Sequence, residues 1–119
     1  MAREWTGDEA KTIQATALAD WEAGNVVKEF SEKQWERGVS NRDIERTLKS
    51  KSTLICQYTH HAQPRFGFWH PEVRIFIGWQ PPEEGWRSEL KTCIRKDEGR
   101  AYMSYQIDFE PVRWSAQVI

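Results

Sequence analysis

The chain has 119 residues, a formal net charge of −1 at pH 7 and a hydrophobic share of 39%. A chain of this length folds as one domain, residues 1–119, and buries about two thirds of its unfolded surface. Its near-neutral charge excludes a general attraction to nucleic acid. Because no apolar run approaches the roughly 18 residues of a transmembrane helix, and no hydrophobic leader follows Met1, we expect a cytoplasmic protein without a membrane partner.

The first part of the chain, about residues 6–50, shows helical periodicity. Thr6-Gly-Asp-Glu starts a first helix, whose apolar residues recur at helical spacing: Ala10, Ile13, Ala17 and Trp21. Gly24-Asn25 ends it, since both residues tolerate a left-handed conformation. A second helix is expected over about residues 26–37, with four apolar side chains directed inward: Val26, Val27, Phe30 and Trp35.

A capped third helix is predicted from Ser40 to about Lys49. Ser40 has the residue type of an N-cap, and its hydroxyl is expected to accept from the amide of Asp43. Val39 and Ile44 flank this cap at the spacing of a hydrophobic staple. The chain therefore enters this helix through a well-defined turn.

From Ser52 the period of the pattern changes from 3.6 to 2, which indicates strands over about residues 52–115. Four strands are expected, near residues 53–58, 65–69, 73–80 and 90–95. A hairpin loop at residues 96–100 then leads to a last strand with inward side chains Met103, Tyr105, Ile107 and Phe109. The predicted fold is α+β, with three N-terminal helices packed on one face of a four- to five-stranded antiparallel meander.

A basic stripe lies along the predicted third helix. Arg42, Arg46 and Lys49 follow at spacings of four and three, so they share one helix face. Residues 39–65 hold five basic and two acidic side chains, and such a stripe can hold successive phosphates. The stripe is therefore a candidate nucleic-acid-binding surface, although a short solvated helix shows the same pattern.

Aromatic and cationic residues alternate between Tyr58 and Pro71, as they do in proteins that bind single-stranded nucleic acid. Arg65 is the phosphate-binding candidate within this segment, and Arg74 follows it on the next strand. The alternative interpretation is an aromatic hairpin that fills the core against Trp79 and Tyr105.

The three histidines, His60, His61 and His70, are candidates for acid–base chemistry near neutral pH. Adjacent histidines point apart on an extended chain, and no nearby carboxylate or thiol completes a ligand set, so we expect no metal and no cofactor. Cations and a second donor for a phosphorane are available on neighbouring strands: Arg74, Lys91 and Tyr102. Cys56 and Cys93 do not form a Cys-x-x-Cys pair, which predicts buried free thiols.

The motif Glu36-Arg37-Gly38-Val39-Ser40, followed by Asp43-Ile44-Glu45-Arg46-Thr47-Leu48, resembles the small bacterial domains called DUF4258, which belong to the barnase–EndoU–colicin–RelE-like (BECR) group. The resemblance implies a metal-independent endoribonuclease, often a toxin with a protein antidote. Arg37 matches the family's arginine. The family's usual histidine is missing from Lys28–Lys33, so an imidazole would come from His60, His61 or His70.

Two main hypotheses follow for function. In the first, His60 or His61 is the base of an RNA-cleaving domain, while Arg37 and Lys91 stabilise the transition state and Tyr102 is a further donor. In the second, the chain is a non-enzymatic module, such as a phage-encoded inhibitor or adaptor. Such a module would bind a protein or a nucleoprotein complex through tryptophans and the basic stripe. A DNA-binding regulator ranks last, because a lone helix pair before a long sheet is not the usual setting.

Overall fold

The computed structural model describes residues 7–60, 63–85, 87–95 and 115–116 of the chain. Three helices come first: α1 (Gly7–Ala23), α2 (Lys28–Glu36) and α3 (Asn41–Lys49). Five strands follow: β1 (Leu54–His60), β2 (Gln63–Trp69), β3 (Ile75–Gln80), β4 (Glu89–Arg95) and β5 (Ser115–Ala116). The strands form one sheet in the order β4-β3-β2-β1-β5, with antiparallel neighbours throughout. This confirms the α+β prediction of helices followed by an antiparallel meander.

The start of α3 is built as its sequence predicts. Ser40 is the N-cap, and its hydroxyl oxygen accepts a 3.0 Å hydrogen bond from the amide of Asp43. Val39 and Ile44, on either side of this cap, are both buried in the core. The cap satisfies one otherwise unpaired amide of the first turn, while the apolar pair fixes how the chain enters the helix.

The main core lies between the helices and one face of the sheet. Strands β1, β2 and β3 supply Ile55, Phe68 and Ile77, which are opposite one another in the register. Helices α2 and α3 cover them with the buried side chains Phe30, Ile44 and Leu48. Burying side chains of this kind contributes about 1.5–3 kcal/mol each, which makes this layer the main source of stability.

The second face of the sheet is also closed to solvent at its centre. The sequence alternates between two sets of side chains along β3, and we expect one set to be buried and the other solvated. In the structure all six residues of β3 are buried. Phe76 is fully buried there and lies across Gly67 on β2, with Cys56 beside it. Gly67 therefore provides the space that the ring of Phe76 occupies, and the ring covers the backbone of the glycine.

The outer edge of β4 is covered by the loop between α1 and α2. Leu90 donates its amide to the carbonyl of Asn25 at 2.9 Å and accepts from the amide of Val27 at 3.1 Å. An uncovered edge strand would offer unpaired backbone groups to other chains. The loop therefore removes part of this edge from solvent.

Several expectations differ from the structure or fall outside it. Trp35 was expected to point inward, which is wrong: its exposed fraction is 87%. Both cysteines are buried and free, as predicted. The loop at residues 96–100 and the strand predicted to contain Met103 and Phe109 lie outside the described residues. None of the helices in the described ranges is both long and apolar enough to cross a membrane.

Candidate interaction surface on α2 and α3

Arg37, a predicted catalytic residue, joins α2 to the sheet. It is the C-cap residue of α2, and its guanidinium Nη1 donates a 2.5 Å hydrogen bond to the carbonyl oxygen of Cys93 on β4. Hydrogen bonds from charged donors are stronger than neutral ones, and this carbonyl lies on the edge that Val27 also contacts. In this position Arg37 closes the sheet edge and fixes the end of α2.

Lys91, the second predicted cation of the catalytic set, forms an ion pair on its own strand. Its Nζ lies 2.7 Å from Oε1 of Glu89, and about a quarter of each side chain is exposed. A largely buried ion pair of this length neutralises both charges locally. The amine is therefore already paired with a carboxylate.

His70 is the one histidine whose side chain the structure describes, and it is built into a turn. The imidazole is 2% exposed, and its Nδ1 accepts hydrogen bonds from the amides of Glu72 at 3.1 Å and Val73 at 3.3 Å. Its Nε2 lies 3.1 Å from the hydroxyl of Ser50. Because Nδ1 is the acceptor, the proton of the neutral ring resides on Nε2 and points to Ser50.

Desolvation by burial lowers the pKa of His70, and the nearby positive charge of Arg46 lowers it further, whereas Glu72 opposes the shift. The ring therefore stays neutral and structural near physiological pH. The other predicted catalytic groups, the side chain of His60 together with His61 and Tyr102, lie outside the described residues. The structure thus does not bring the predicted catalytic set together within its described part.

The basic stripe of α3 is interrupted at its centre. Arg46 donates from Nη2 to Oε2 of Glu72 at 3.0 Å. Arg42 and Lys49 are exposed and have no ion-pair partner among the described residues. The surface therefore presents two separated cations rather than three in a row.

Arg65 and Arg74, the other predicted phosphate-binding residues, lie elsewhere. Arg65 alternates with Phe66, which packs against the core, so Arg65 belongs to the face of the sheet away from the helices. Its Nε is buried and has no hydrogen-bond partner within the described ranges. Arg74 is exposed in the turn before β3. The five predicted cations are therefore divided among a helix, a turn and the opposite sheet face.

The most exposed large apolar side chain of the described residues is Trp35, near the end of α2. It forms one wall of a groove of about 450 Å³, between the end of α2 and the start of α3. We call this groove and its tryptophan the Trp35 surface, defined by Ser31, Gln34, Trp35, Gly38, Val39 and Ser40. None of these residues is charged. The surface therefore combines a projecting indole with an uncharged recess.

The backbone that forms the groove is held by a Schellman motif. The amide of Gly38 donates to the carbonyl of Trp35 at 3.2 Å, and the amide of Val39 donates to the carbonyl of Gln34 at 3.0 Å. Gly38 has φ +63°, a conformation that side chains disfavour, so glycine is required at this reversal. The side-chain amide of Gln34 also donates to Oδ1 of Asn41 at 2.7 Å across the turn. These bonds fix the backbone of the groove and the side chain of Gln34 before any ligand arrives.

Four charged residues of α2 near the Trp35 surface are paired along the helix. Lys28 lies 4.0 Å from Glu32, and Lys33 lies 3.3 Å from Glu36. Exposed pairs of this kind contribute little to stability, and each pair is neutral as a whole. The surface therefore favours an uncharged, apolar contact over a strongly charged one.

Sequence reasoning missed this surface because it placed Trp35 in the core. The signal that identifies it is the spacing along α2. Phe30 is the buried residue of this helix, and Trp35 follows five positions later, about 140° further around the axis. An inward tryptophan would have stood three or four residues from Phe30.

No protein-family model, curated protein or solved structure matches the chain. The resemblance to DUF4258 domains therefore rests on the Glu36–Leu48 motif and on the order of helices before the sheet, and it stays a prediction. In the structure this motif forms the Schellman turn at Gly38 and the cap at Ser40. Both are local devices for reversing a chain between two helices, and they carry no chemistry of their own.

Proposed function

We propose that the protein is a non-enzymatic interaction module that binds a protein partner through the Trp35 surface. The observation that carries this proposal is the 87% exposure of Trp35 beside a rigid, uncharged groove. Tryptophan is among the commonest energetic centres of protein interfaces, since it combines a large apolar area with one donor. Burying such a side chain contributes on the order of 3–4 kcal/mol to binding.

The rigidity of the surface supports the same proposal. Binding costs free energy for every side chain or loop that becomes ordered, and a preorganised surface avoids part of that cost. The hydrogen bonds of Gly38, Val39 and Gln34 already fix the groove in the unbound protein. An inhibitor or adaptor that presents one anchor to its target would use this kind of geometry.

The states of the predicted catalytic groups also support a binding role. Arg37, Lys91 and His70 hold a backbone carbonyl, a carboxylate and two backbone amides, respectively. The acceptor atom of His70, Nδ1, would have to give up two hydrogen bonds before it could take a proton from a substrate. A binding module makes no such demand.

Comparative capture tests this proposal. Tagged wild-type protein, Trp35→Ala and Lys49→Ala are incubated with extract of the cells that naturally produce the protein, and bound proteins are quantified. Lys49 is an exposed residue of α3 outside the Trp35 surface, so its variant is a control for nonspecific surface effects. We expect a partner that wild-type and Lys49→Ala retain equally and Trp35→Ala loses. Equal capture by all three would contradict the proposal.

RNA cleavage is retained as a second proposal, favoured by the exposed cations Arg42 and Lys49 on α3. The base would be His60 or His61, as the sequence predicts. Incubation of purified protein with total tRNA and a metal chelator tests it, with a variant lacking both histidines as the control. Intact RNA at high protein excess would end this proposal, and it would leave the binding proposal unaffected.

A further inference from the structure

We infer that the protein has a second binding site, for a carboxylate that lies next to an amide, on the face of the sheet away from the helices. The site lies where the start of β2, the end of β3 and the start of β4 are side by side, and it consists of Arg65, Gln80, Glu89 and Lys91. It is separate from the Trp35 surface, which α2 and α3 form. The inference therefore goes beyond the proposed function and does not rest on it.

The register of the sheet places the strand residues of this site next to one another. Gln80 is paired with Glu89 across β3 and β4, and Phe66 is paired with Trp79 across β2 and β3. Because β2 and β3 are antiparallel, the residues adjacent to the second pair, Arg65 and Gln80, also lie side by side. Phe66 and Trp79 pack in the core, so Gln80 and its neighbours on both sides belong to the opposite face of the sheet.

A β-bulge brings Lys91 to the same face. The register between β3 and β4 shifts after Gly78, whose partner is Thr92, and the shift leaves Lys91 as an extra residue. The Nζ of Lys91 lies 2.7 Å from Oε1 of Glu89, so its ammonium group lies on the face to which Glu89 belongs. Bulges redirect side chains and are common beside functional sites.

Two residues of the site carry buried polar atoms without partners. Gln80 is 2% exposed, and neither its amide nitrogen nor its amide oxygen forms a hydrogen bond with any residue that the structure describes. Within the same ranges, Nε of Arg65 is also buried and unpaired. Buried polar groups in folded proteins nearly always have a partner, so two such groups side by side indicate that a ligand supplies the missing hydrogen bonds.

The site is accessible from solvent on both sides of Gln80. Arg65 is partly exposed on one side, and about a quarter of each side chain in the Glu89–Lys91 pair is exposed on the other. Gln80 therefore forms the floor of the site, and the charged residues form its rim.

The charges of the site favour a ligand group with a single negative charge. Arg65 and Lys91 each carry one positive charge, and Glu89 neutralises Lys91, so the charge of Arg65 remains. A carboxylate carries one negative charge, whereas a phosphate group carries nearly two at pH 7. The planar guanidinium of Arg65 also has the donor geometry that binds a carboxylate through two hydrogen bonds.

Gln80 supplies the contact to an amide. Its side chain offers an acceptor oxygen and a donor nitrogen side by side, which complements the N–H and C=O groups of another amide. In an acylated amino acid, or at the carboxyl end of a peptide, the carboxylate and the nearest amide are one residue apart, about 3.8 Å. This spacing is close to the distance of about 4.5–5.5 Å between paired side chains on neighbouring strands. Arg65 therefore binds the carboxylate while Gln80 binds the adjacent amide.

Nuclear magnetic resonance titration of the purified full chain tests the inference with small probes. N-acetylalanine carries both groups, whereas acetate lacks the amide and N-acetylalaninamide lacks the charge. We expect N-acetylalanine to shift the side-chain signals of Gln80 and Arg65. It should bind about tenfold more tightly than acetate, N-acetylalaninamide or inorganic phosphate, because only this probe forms both contacts with the matching charge.

Two variants separate the two contacts. Gln80→Met should bind N-acetylalanine no better than acetate, because it lacks the amide contact, and it should be more stable than wild type, because it lacks the unpaired atoms. Unfolding therefore does not account for its loss of binding. Arg65→Gln should bind N-acetylalanine about tenfold more weakly, since it lacks the positive charge. Lys11→Gln, the same charge change at an exposed residue of α1, should bind as wild type does.

The length of the probe distinguishes the two sources of this ligand chemistry. Acetyl-Gly-Gly-Ala has the same carboxyl end as N-acetylalanine. Tighter binding of the longer probe identifies the end of a peptide as the ligand, and equal or weaker binding identifies an acylated amino acid.

Three results would each overturn the inference: no binding of N-acetylalanine, equal affinity for acetate or phosphate, or wild-type affinity in Gln80→Met. Circular dichroism of each variant verifies the fold. Failure of this site leaves the capture experiment with Trp35→Ala unaffected, so the two proposals fail independently.

Discussion

The indole Nε1 of Trp79 on β3 donates a 2.7 Å hydrogen bond to Oδ2 of Asp20 on α1, across 59 positions of the chain. Both residues are buried, with exposed fractions of 2% and 6%. The other carboxylate oxygen accepts from the side-chain amide of Asn25 at 2.9 Å. This carboxylate therefore links the first helix, the loop after it and the centre of the sheet.

Replacing Asp20 by Ala is expected to lower the free energy of unfolding by about 2–3 kcal/mol. The substitution leaves the buried donor of Trp79 without its acceptor, which costs more than the lost bond itself. Urea denaturation measures the change, with Glu22→Ala as an exposed carboxylate control on the same helix. Adding Trp79→Phe should recover part of the loss, and strictly additive effects would contradict the coupling.

The neutral state of His70 predicts a pH-dependent stability. Because its folded pKa lies below the unfolded value of 6.5, its contribution is fully present above pH 6.5. The contribution is lost as the pH falls from 6.5 toward the folded pKa, since the unfolded chain then binds a proton that the folded chain rejects. Denaturation curves of wild type and His70→Asn measure it.

The variant His70→Asn keeps an acceptor for the amides of Glu72 and Val73 but does not titrate. The other histidines are present in both proteins, so the difference between the two curves isolates His70. We expect that difference to change below pH 6.5 and to be constant above it. Parallel curves across the whole range would show that His70 is not a buried acceptor.

Two buried glutamines are expected to respond in opposite ways to methionine. Gln80 is 2% exposed, and neither of its amide atoms has a hydrogen-bond partner among the residues described. Gln14 is also buried, but its amide donates to the carbonyls of Thr47 and Ser50. Gln80→Met should raise the free energy of unfolding by about 1 kcal/mol, because it removes unpaired buried polar atoms.

Gln14→Met is the matched control and should lower the free energy of unfolding by about 1–3 kcal/mol, since it removes two hydrogen bonds and leaves the carbonyls of Thr47 and Ser50 with only the donors of Thr53. Thermal and urea denaturation measure both variants. A loss of stability in Gln80→Met as large as that in Gln14→Met would mean that Gln80 has a partner in solution.

The close packing at Gly67 predicts a severe effect of a single methyl group. A Cβ at this position would lie 2.7 Å from Cζ of Phe76 and 2.9 Å from Sγ of Cys56. Because Phe76 is fully buried, its ring has little room to move, and Gly67→Ala should cost about 1–3 kcal/mol. The double variant with Phe76→Leu should recover part of the loss. Wild-type stability in Gly67→Ala would contradict this packing.

Local signals in the sequence predicted local structure well. The cap at Ser40 requires only Asp43 three residues later, and both are found as expected. The bond between Asp20 and Trp79 could not be predicted in this way, because it depends on how a helix docks on a distant strand. The burial of both faces of β3 could not be predicted for the same reason, because packing between elements decides which strand residues are buried.

In the candidate site, too, the residue types could be predicted from the sequence and their contacts with distant residues could not. Residue type suggested cations and imidazoles for chemistry, but their partners in the fold were not visible in the sequence. Glu72 pairs with Arg46, and the carbonyl of Cys93 accepts from Arg37, over separations of 26 and 56 positions. The exposure of Trp35 was predictable in principle from its spacing to Phe30. A tryptophan in an amphipathic helix is usually buried, and this general rule led to the wrong prediction that Trp35 points inward.

The central claim is that partners contact the Trp35 surface, and site-specific photo-crosslinking in the native cells tests it most directly. A photoreactive amino acid at Ser31 lies in the groove and leaves Trp35 intact, while the same group at Glu22 on α1 is the control. We expect a discrete crosslinked protein from position 31 that disappears when Trp35→Ala is added, and none from position 22. Identical products from both positions, or products at position 31 that do not depend on Trp35, would contradict the account.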